Sequence, residues 1–320
     1  KEKGLFSSGP VNPNRSPMNS DSRSIGSLSV DMDSFRSLFG VRTRCPDPGW
    51  TVGLERILDL FSSFSIHATF FVVGWDFEEA SAREGMSRIV EEGHEVAVHS
   101  WSHPQGWSRL NHSSKQREIE KTSDLIEELT GRRPRGFRAP GWNIDEETLE
   151  ILEQEGFLYD SSLFPTSLSP LLKLLYGART RFSAPTLGRL SFVLAPSSPY
   201  SPGKRCWRAG RRNLLEIPLS VTPRFRLPLH ATFLLARIVH HIPICPAKPE
   251  RFPGLNFAFH AADFYDLSDL NSVCLAAANR TGYCPLSLRI PWATKKRVFF
   301  SLLERALSRI RWVPLEERRA

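Results

Sequence analysis

Between Gly93 and Pro104 the chain runs Gly-His-Glu-Val-Ala-Val-His-Ser-Trp-Ser-His-Pro, and this stretch limits the folds open to it. Val96 to Val98 form an apolar run with glycine on one side and proline on the other. That is the pattern of a parallel strand buried on both faces. Pro104 lacks a backbone donor and restrains the residue before it to extended geometry. His99 and His103 are therefore expected on a strand-end loop rather than in a helix. Such loops, at the carboxyl ends of parallel strands, are where α/β enzymes gather their chemistry. Two imidazoles four residues apart, with Ser100 and Ser102 between them, are able to reach one divalent ion. Read alone, the same spacing also fits a pair of hydrogen-bonded surface or core histidines.

Strand and helix patterns alternate on both sides of this stretch. Ser27–Val30 is expected as a short strand ending in Asp31-Met-Asp33, two carboxylates whose burial calls for a cation or hydrogen bonds, or for a turn that one of them caps. After a turn at Pro46–Gly49, Leu54, Ile57, Leu58 and Phe61 recur at helical spacing. Ile66–Val73 reads as a second buried strand, and Ala80–Glu92 as a helix that turns at Gly93. Ser113-x-x-Gln116 has the form of a capping box for a helix reaching Leu129, which Gly131 terminates. Gly136–Trp142 is a further strand-end loop, followed by a helix over Asp145–Glu155 and a strand at Phe157–Ser162. Leu214–Ser220 and Leu255–Ala262 read as two more strands, the last carrying His260. This alternation predicts a parallel sheet with right-handed crossovers.

The stretch at about 165–213 has no steady period and is expected to be an insertion of loops and short helices. Residues 294–309 form an amphipathic helix, with Val298, Phe299, Leu302, Leu303 and Ala306 on one side, read as a packing helix. Residues 1–25, rich in Ser, Pro and Asn, are expected as a disordered leader, leaving 26–320 as a single domain.

Net charge of +8 raises the question of polyanionic partners. The Lys and Arg fall on predicted helix faces and in short clusters such as Lys204–Arg212 and Lys295–Arg297, not in a stripe interleaved with aromatics. No nucleic-acid partner is expected; a solvated basic surface comes first, then attraction to an anionic membrane or glycan. Five cysteines (Cys45, Cys206, Cys245, Cys274 and Cys284), an odd count without C-x-x-C spacing, favour a reducing compartment. With no transmembrane run and no signal-peptide pattern, a cytoplasmic location is expected, with peripheral contact at a membrane surface left open.

Taken in order, the strand ends offer Asp31 and Asp33, His99 and His103, Arg138 and Trp142, Asp160, and His260. The segments Val30-Asp-Met-Asp33, His99-Ser-Trp-Ser-His-Pro104, Phe137-Arg-Ala-Pro-Gly-Trp142, Tyr159-Asp-Ser-Ser162 and Phe257-Ala-Phe-His260 resemble the ordered motifs of the polysaccharide deacetylase family. These are metal-dependent carbohydrate esterases related to chitin and peptidoglycan deacetylases. The resemblance runs from about Ser27 to Asp266. It implies an α/β fold, a distorted (β/α)7 TIM-like barrel with a metal at its carboxyl-end face. It further implies Asp33, His99 and His103 as ligands of one divalent ion, usually Zn2+, with Asp31 as general base and Arg138 as its partner. His260 would be the general acid, Trp142 a wall of the acetyl pocket, Asp160 the group that orients His260, and Ser100 a substrate contact. Physical chemistry agrees: two imidazoles and one carboxylate leave net positive charge at the ion, and a guanidinium favours an ionised base. An amine leaves poorly unless it is protonated.

The implied reaction removes an N-acetyl group from an amino sugar of a glycan or lipid-linked saccharide. The alternatives are a deformylase or cyclic-amide hydrolase on the same site, or a non-catalytic binding protein for glycan or nucleic acid on this scaffold. The chain departs from the commoner family pattern in two places. Met32 separates the aspartates and Ser34 follows them, and the segment around Asp160 lacks an Asp-Trp ending. The spaced aspartates resemble the branch containing lipid-linked-sugar deacetylases, deformylases and cyclic-amide hydrolases. His67, His94, His112, His230, His240 and His241 have no motif support and read as structural.

Overall fold

The structure, a computed structural model, describes residues 23–39, 45–180, 188–239, 254–281 and 285–319. The expected leader up to residue 22, His240, His241, Cys245 and Cys284 lie outside the described residues.

Strands β1 (Ser24–Met32), β2 (Thr69–Val72), β3 (Glu95–Val98), β4 (Gly136–Phe137), β5 (Tyr159–Asp160), β6 (Leu215–Glu216) and β7 (Leu255–His260) lie in the spatial order β6-β5-β4-β3-β2-β1-β7, every ladder parallel. An eighth strand, β8 (Ile310–Trp312), pairs with the start of β1. Its three residues are too short to carry a readable period, and the sequence gives no sign of it. Helices α1 (Phe35–Phe39), α2 (Leu54–Ser63), α3 (Ala80–Glu91), α4 (His112–Thr130), α5 (Glu146–Gln154), α6 (Ser169–Thr180), α7 (Ala231–Val239), α8 (Ser272–Thr281) and α9 (Trp292–Leu307) occupy the connections. β1 starts at Ser24, so Ser24 and Ile25 belong to the sheet rather than to a leader.

Period two divides β1 between two environments. Leu28, Val30 and Met32 point into the main apolar core with the α2 and α3 side chains Leu54, Ile57, Phe61, Met86 and Ile89. Ser29 and Asp31 point the other way, into a polar interior that also receives Arg138, Ser161 and Asn256. Ser29 Oγ donates to Asn256 Oδ1 at 3.1 Å, and Asn256 Nδ2 donates to Ser161 Oγ at 3.0 Å.

Among the described residues the barrel does not close by strand pairing between β6 and β7. Pro218 ends β6 after two residues because it has no N–H for a ladder. The gap to β7 is spanned instead by Ser220 N donating to the Asn256 carbonyl (3.1 Å) and Asn256 N donating to Ser220 Oγ (2.8 Å). A bridge between His230 and Ala258 completes this seam. The expected strand over Leu214–Ser220 is therefore a two-residue strand and a hydrogen-bonded extension.

Two helix ends test the capping expectations. Gly131 closes α4 in the left-handed region at φ 70°, as its position predicts. The start differs: Asn111, not Ser113, caps α4, its side chain accepting from Ser114 N at 2.9 Å, while Gln116 pairs with Glu120. Phe299, Leu303 and Ala306 of α9 are buried in the core, so this helix packs. Among the described residues no helix is long and apolar enough to cross a membrane.

Candidate metal centre and active site

Parallel register brings the chemistry to one end of the sheet. Asp31 stands opposite His260 across β1 and β7, and Val98 stands opposite Phe137 across β3 and β4. The residues that follow that second pair, His99 and Arg138, therefore emerge side by side. His99 Nδ1 lies 2.7 Å from the Arg138 carbonyl. A carbonyl only accepts, so Nδ1 carries the hydrogen and Nε2 turns into the site with a free lone pair. His99 Nε2 and His103 Nε2 each lie 3.4 Å from Asp33 Oδ1. The three ligand atoms fall within 4.8 Å of one another.

Backbone in an uncommon conformation forms this loop. Ser100 and His103 sit in the left-handed region at φ 65° and 49°, sparsely populated for residues with a side chain. His103 is thus not extended as Pro104 predicts. Its N–H donates to Ser100 Oγ at 3.0 Å, and Glu118 from α4 accepts from Trp101 N, Ser102 N and Ser102 Oγ at 2.7 to 2.9 Å. These bonds hold the strained turn. Ser100 is fully buried in that role and does not line the cavity, which corrects its expected place as a substrate contact.

Arg138 is completely buried. Its Nη1 pairs with Asp31 Oδ1, Nε donates to the Ser161 carbonyl at 2.9 Å, and Nη2 donates to Ser29 Oγ and Ser161 Oγ at 3.0 and 2.9 Å. Phe71 lies beneath the guanidinium at 4.0 Å. A planar donor fixed on so many sides can only aim Asp31 in one direction.

His260 Nε2 is 3.8 Å from Asp31 Oδ2, but Asp160 is not its partner. Asp160 is fully buried, accepts from Ser162 Oγ at 2.5 Å and shares a side-chain hydrogen bond with Glu216. Burial raises both carboxyls, so this pair keeps a proton. The expected position is filled by Asp263, whose Oδ2 accepts from His260 N at 3.0 Å and lies 3.8 Å from His260 Nδ1. His260-Ala-Ala-Asp263 is a capping pattern at a strand end, the signal that could have found Asp263 in the sequence. Burial works against charge on His260, yet the Asp263 hydrogen bond and the Asp31, Asp263 and Asp33 charges hold its pKa up at about 9. Burial likewise opposes ionisation of Asp33, but His103 and His99 outweigh it and keep that carboxyl well below the usual range.

A cavity of about 400 Å³ opens over these groups, lined by Asp31, Asp33, His99, His103 and His260 at its floor. Its walls are Leu38, Trp142, Phe164, Leu172, Phe233 and Ala236. Trp142, at φ 53°, turns its ring to within 5.6 Å of the His260 ring. His230, expected to be structural, lines this cavity too. Its ring lies 5.7 Å from that of Trp142 and 6.5 Å from that of His260, and burial lowers its pKa to about 3. His94 is structural as expected, its Nδ1 accepting from Ala68 N at 3.1 Å.

The donor set fits a divalent ion. Asp33 Oδ1 is buried without a hydrogen-bond partner, His103 Nε2 faces it at 3.4 Å, and His99 Nε2 is oriented inward by its carbonyl partner. Leaving buried polar atoms unsatisfied is costly unless a ligand compensates, and two imidazoles with one carboxylate suit zinc with open positions left for substrate.

Residues 45–159 match the family model for polysaccharide deacetylase, a stretch that holds His99, His103, Arg138 and Trp142 but not Asp31, Asp33 or His260. A peptidoglycan deacetylase of Helicobacter pylori is 39% identical over 121 residues, covering 37% of this chain and 40% of that protein. The Bacillus subtilis peptidoglycan-N-acetylmuramic acid deacetylase PdaC is 36% identical over 115 residues, covering 36% of this chain and 23% of that protein. The chain thus spans two fifths or less of the length of these curated relatives. The crystal structure of a protein described as a polysaccharide deacetylase from Mycobacterium smegmatis superposes with a TM-score of 0.54 at 20% identity, over 98% of this chain and 93% of that one. That likeness bears out the expected fold, a distorted α/β barrel. The central stretch of the chain, residues 45–159, is therefore similar to the polysaccharide deacetylase domain and to these deacetylases, and the fold is theirs.

Proposed function

We propose that the protein is a metal-dependent hydrolase that removes an N-acetyl group from an amino sugar of a glycan or lipid-linked saccharide. The observation that carries this reading is the convergence of Asp33, His99 and His103 on one point beside a buried Asp31–Arg138 pair and an Asp263-supported His260. Asp33 Oδ1, His99 Nε2 and His103 Nε2 would hold the ion. A divalent ion there supplies Lewis acidity toward the amide carbonyl and makes water more acidic.

Asp31, aimed by Arg138, takes a proton from the attacking water. His260 gives a proton to the nitrogen as the C–N bond breaks, so the sugar leaves as a neutral amine and the acyl group as acetate. Asp263 favours the charged, proton-donating form of His260, and Trp142 and Phe164 exclude water from around the acyl group. The relatives named as peptidoglycan deacetylases support an N-acetylated glycan as substrate.

The test is acetate release from N-acetylglucosamine oligomers together with metal content, for the wild type and a His99→Ala/His103→Ala pair. About one metal per chain, lost with activity in the variant, is expected. Metal without acetate would move the substrate to formyl or cyclic amides; no metal after zinc or cobalt is supplied would overturn the enzyme reading.

A further inference from the structure

Basic residues are not spread evenly along this chain. Residues 161–249 hold thirteen of its 42 Lys and Arg but only one of its 34 Asp and Glu, Glu216, which is buried against Asp160. Within that stretch three segments are tied together. Ser167 N and Thr166 Oγ1 donate to the Arg226 carbonyl at 3.1 and 2.9 Å, and Ser167 Oγ donates to that of Phe225 at 2.6 Å. The Arg226 guanidinium donates to the carbonyls of Val193 and Ala195 at 2.6 and 2.8 Å, and Lys173 Nζ donates to the Gly188 carbonyl. The start of α6, the turn over 188–195 and the loop around Phe225 therefore form one surface.

That surface carries Leu171, Leu174, Leu190, Leu194 and Phe225, each between 52% and 66% exposed. Among the described residues these are the five most exposed large apolar side chains. Arg224 stacks over Phe225, while Arg189 is paired to Glu146 of α5. Leu172, between two of the exposed leucines, turns into the cavity beside Phe233 and Ala236.

We propose that this surface docks on an anionic phospholipid bilayer, with the five apolar side chains entering the headgroup boundary and the cavity opening at the membrane. Clustered apolar side chains left in water are unfavourable, and Arg224 beside Phe225, in a stretch with a single acidic residue, matches both features of an anionic interface. A nucleic acid or soluble polyanion would satisfy the charge and leave four leucines exposed, so the bilayer is the better fit. An amphiphilic substrate reaches the Leu172 wall from there without crossing water. The docking is independent of the reaction, because it uses none of the groups assigned to metal or proton transfer.

The test is sedimentation of the full chain with phosphatidylcholine vesicles and with vesicles that also contain phosphatidylglycerol. Binding to the mixed vesicles is expected, weakened by salt and much weaker on phosphatidylcholine alone. The Leu171→Ser/Leu174→Ser/Phe225→Ser variant is expected to partition at least about tenfold more weakly with at most a small fall in Tm, since more than half of each side chain lies in water in the free protein. Arg224→Glu, made separately, is expected to reduce binding to the anionic vesicles alone. Wild-type protein that stays in the supernatant, a triple variant that sediments like wild type, or binding to duplex DNA without vesicle binding would each overturn the proposal. None of these readouts depends on acetate release, so failure here leaves the hydrolase reading untouched, and the reverse.

Discussion

The two ends of one sheet bury carboxylates in opposite ways. At the amino ends, Glu95 opens β3 and accepts from Thr69 Oγ1 at 2.5 Å, Tyr159 Oη at 2.6 Å and Glu316 N at 3.1 Å. Tyr159 reaches it by lying over Gly136, where a Cβ would stand 2.1 Å from the phenol. At the carboxyl ends, Asp33 Oδ1 has no hydrogen-bond partner and faces His99 Nε2 and His103 Nε2 at 3.4 Å, and the loop beside it is held in the left-handed region. Both sites are buried, so burial does not separate them. Satisfaction does: a fully bonded carboxylate holds the fold, and one surrounded by unmet donors and acceptors is arranged for a ligand.

The largest expected effect comes from emptying the carboxyl end. Asp33→Ala is expected to lose its metal and, with it, roughly a thousandfold or more of acetate release, the several kcal/mol that a Lewis acid contributes. The thermal midpoint of the metal-free protein should fall much less than for Glu95→Ala, because only the 3.4 Å contacts with His99 and His103 are removed. A large drop in that midpoint would place Asp33 with the structural carboxylates. Asp31→Asn keeps an acceptor for Arg138 but cannot take a proton; turnover about a hundredfold to ten-thousandfold lower, with metal retained, is expected. Wild-type turnover in that variant would remove Asp31 as the base.

Breaking the amino end should do the reverse. Glu95→Ala leaves the Tyr159 hydroxyl and Thr69 without their acceptor and opens a cavity. A loss of about 3 kcal/mol in denaturant unfolding is expected, with metal content unchanged. Burial also raises the Glu95 pKa to about 7, which its hydrogen bonds from Thr69 and Tyr159 only partly offset. The folded protein then binds more protons than the unfolded chain between the ordinary Glu range and pH 7. The Glu95 contribution is full below that window and is lost as pH rises through about 7. Glu95→Gln should flatten this fall in a series of melts across pH.

The contrast also marks how far the sequence could be read. Strand ends were legible because apolar runs stop at polar residues, and parallel register then placed Asp31, Asp33, His99, His103, Arg138, Trp142 and His260 together. Partners that arrive from the middle of helices or from after a strand were not. Glu118 looks like any exposed helix carboxylate until the loop folds onto it. The place of Asp160 in the chain points to His260, whereas the barrel packs it against Glu216 and supplies Asp263 instead. β8 and the seam at Ser220 rest on pairings between residues far apart, which no local pattern encodes.

Asp263 allows a smaller and sharper test of the carboxyl end. A histidine acid is active only while protonated, so activity should fall as pH rises through its pKa. Asp263 is the main group raising that pKa against burial. Asp263→Asn is expected to move the alkaline limb of kcat/KM toward acid by about one unit while metal content is unchanged. An unmoved limb would detach His260 from Asp263.

His230 should give the smallest effect, and it asks whether a second unsatisfied group belongs to the open end. Its Nδ1 is buried without a partner, as His103 Nδ1 is, but it lies in the cavity wall against Trp142 and Phe164. With burial holding its pKa near 3, the ring stays neutral near pH 7, so it would not exchange protons in the proposed hydrolysis. It is able to accept or donate one hydrogen bond to a bound sugar. His230→Phe preserves the aromatic wall and removes that bond; KM is expected to rise roughly three- to tenfold, the worth of one neutral hydrogen bond, with kcat and the alkaline limb unchanged. An unchanged KM would leave the His230 ring as wall alone. A fall in kcat would instead mean that the ring supports His260, 6.5 Å away between ring centres.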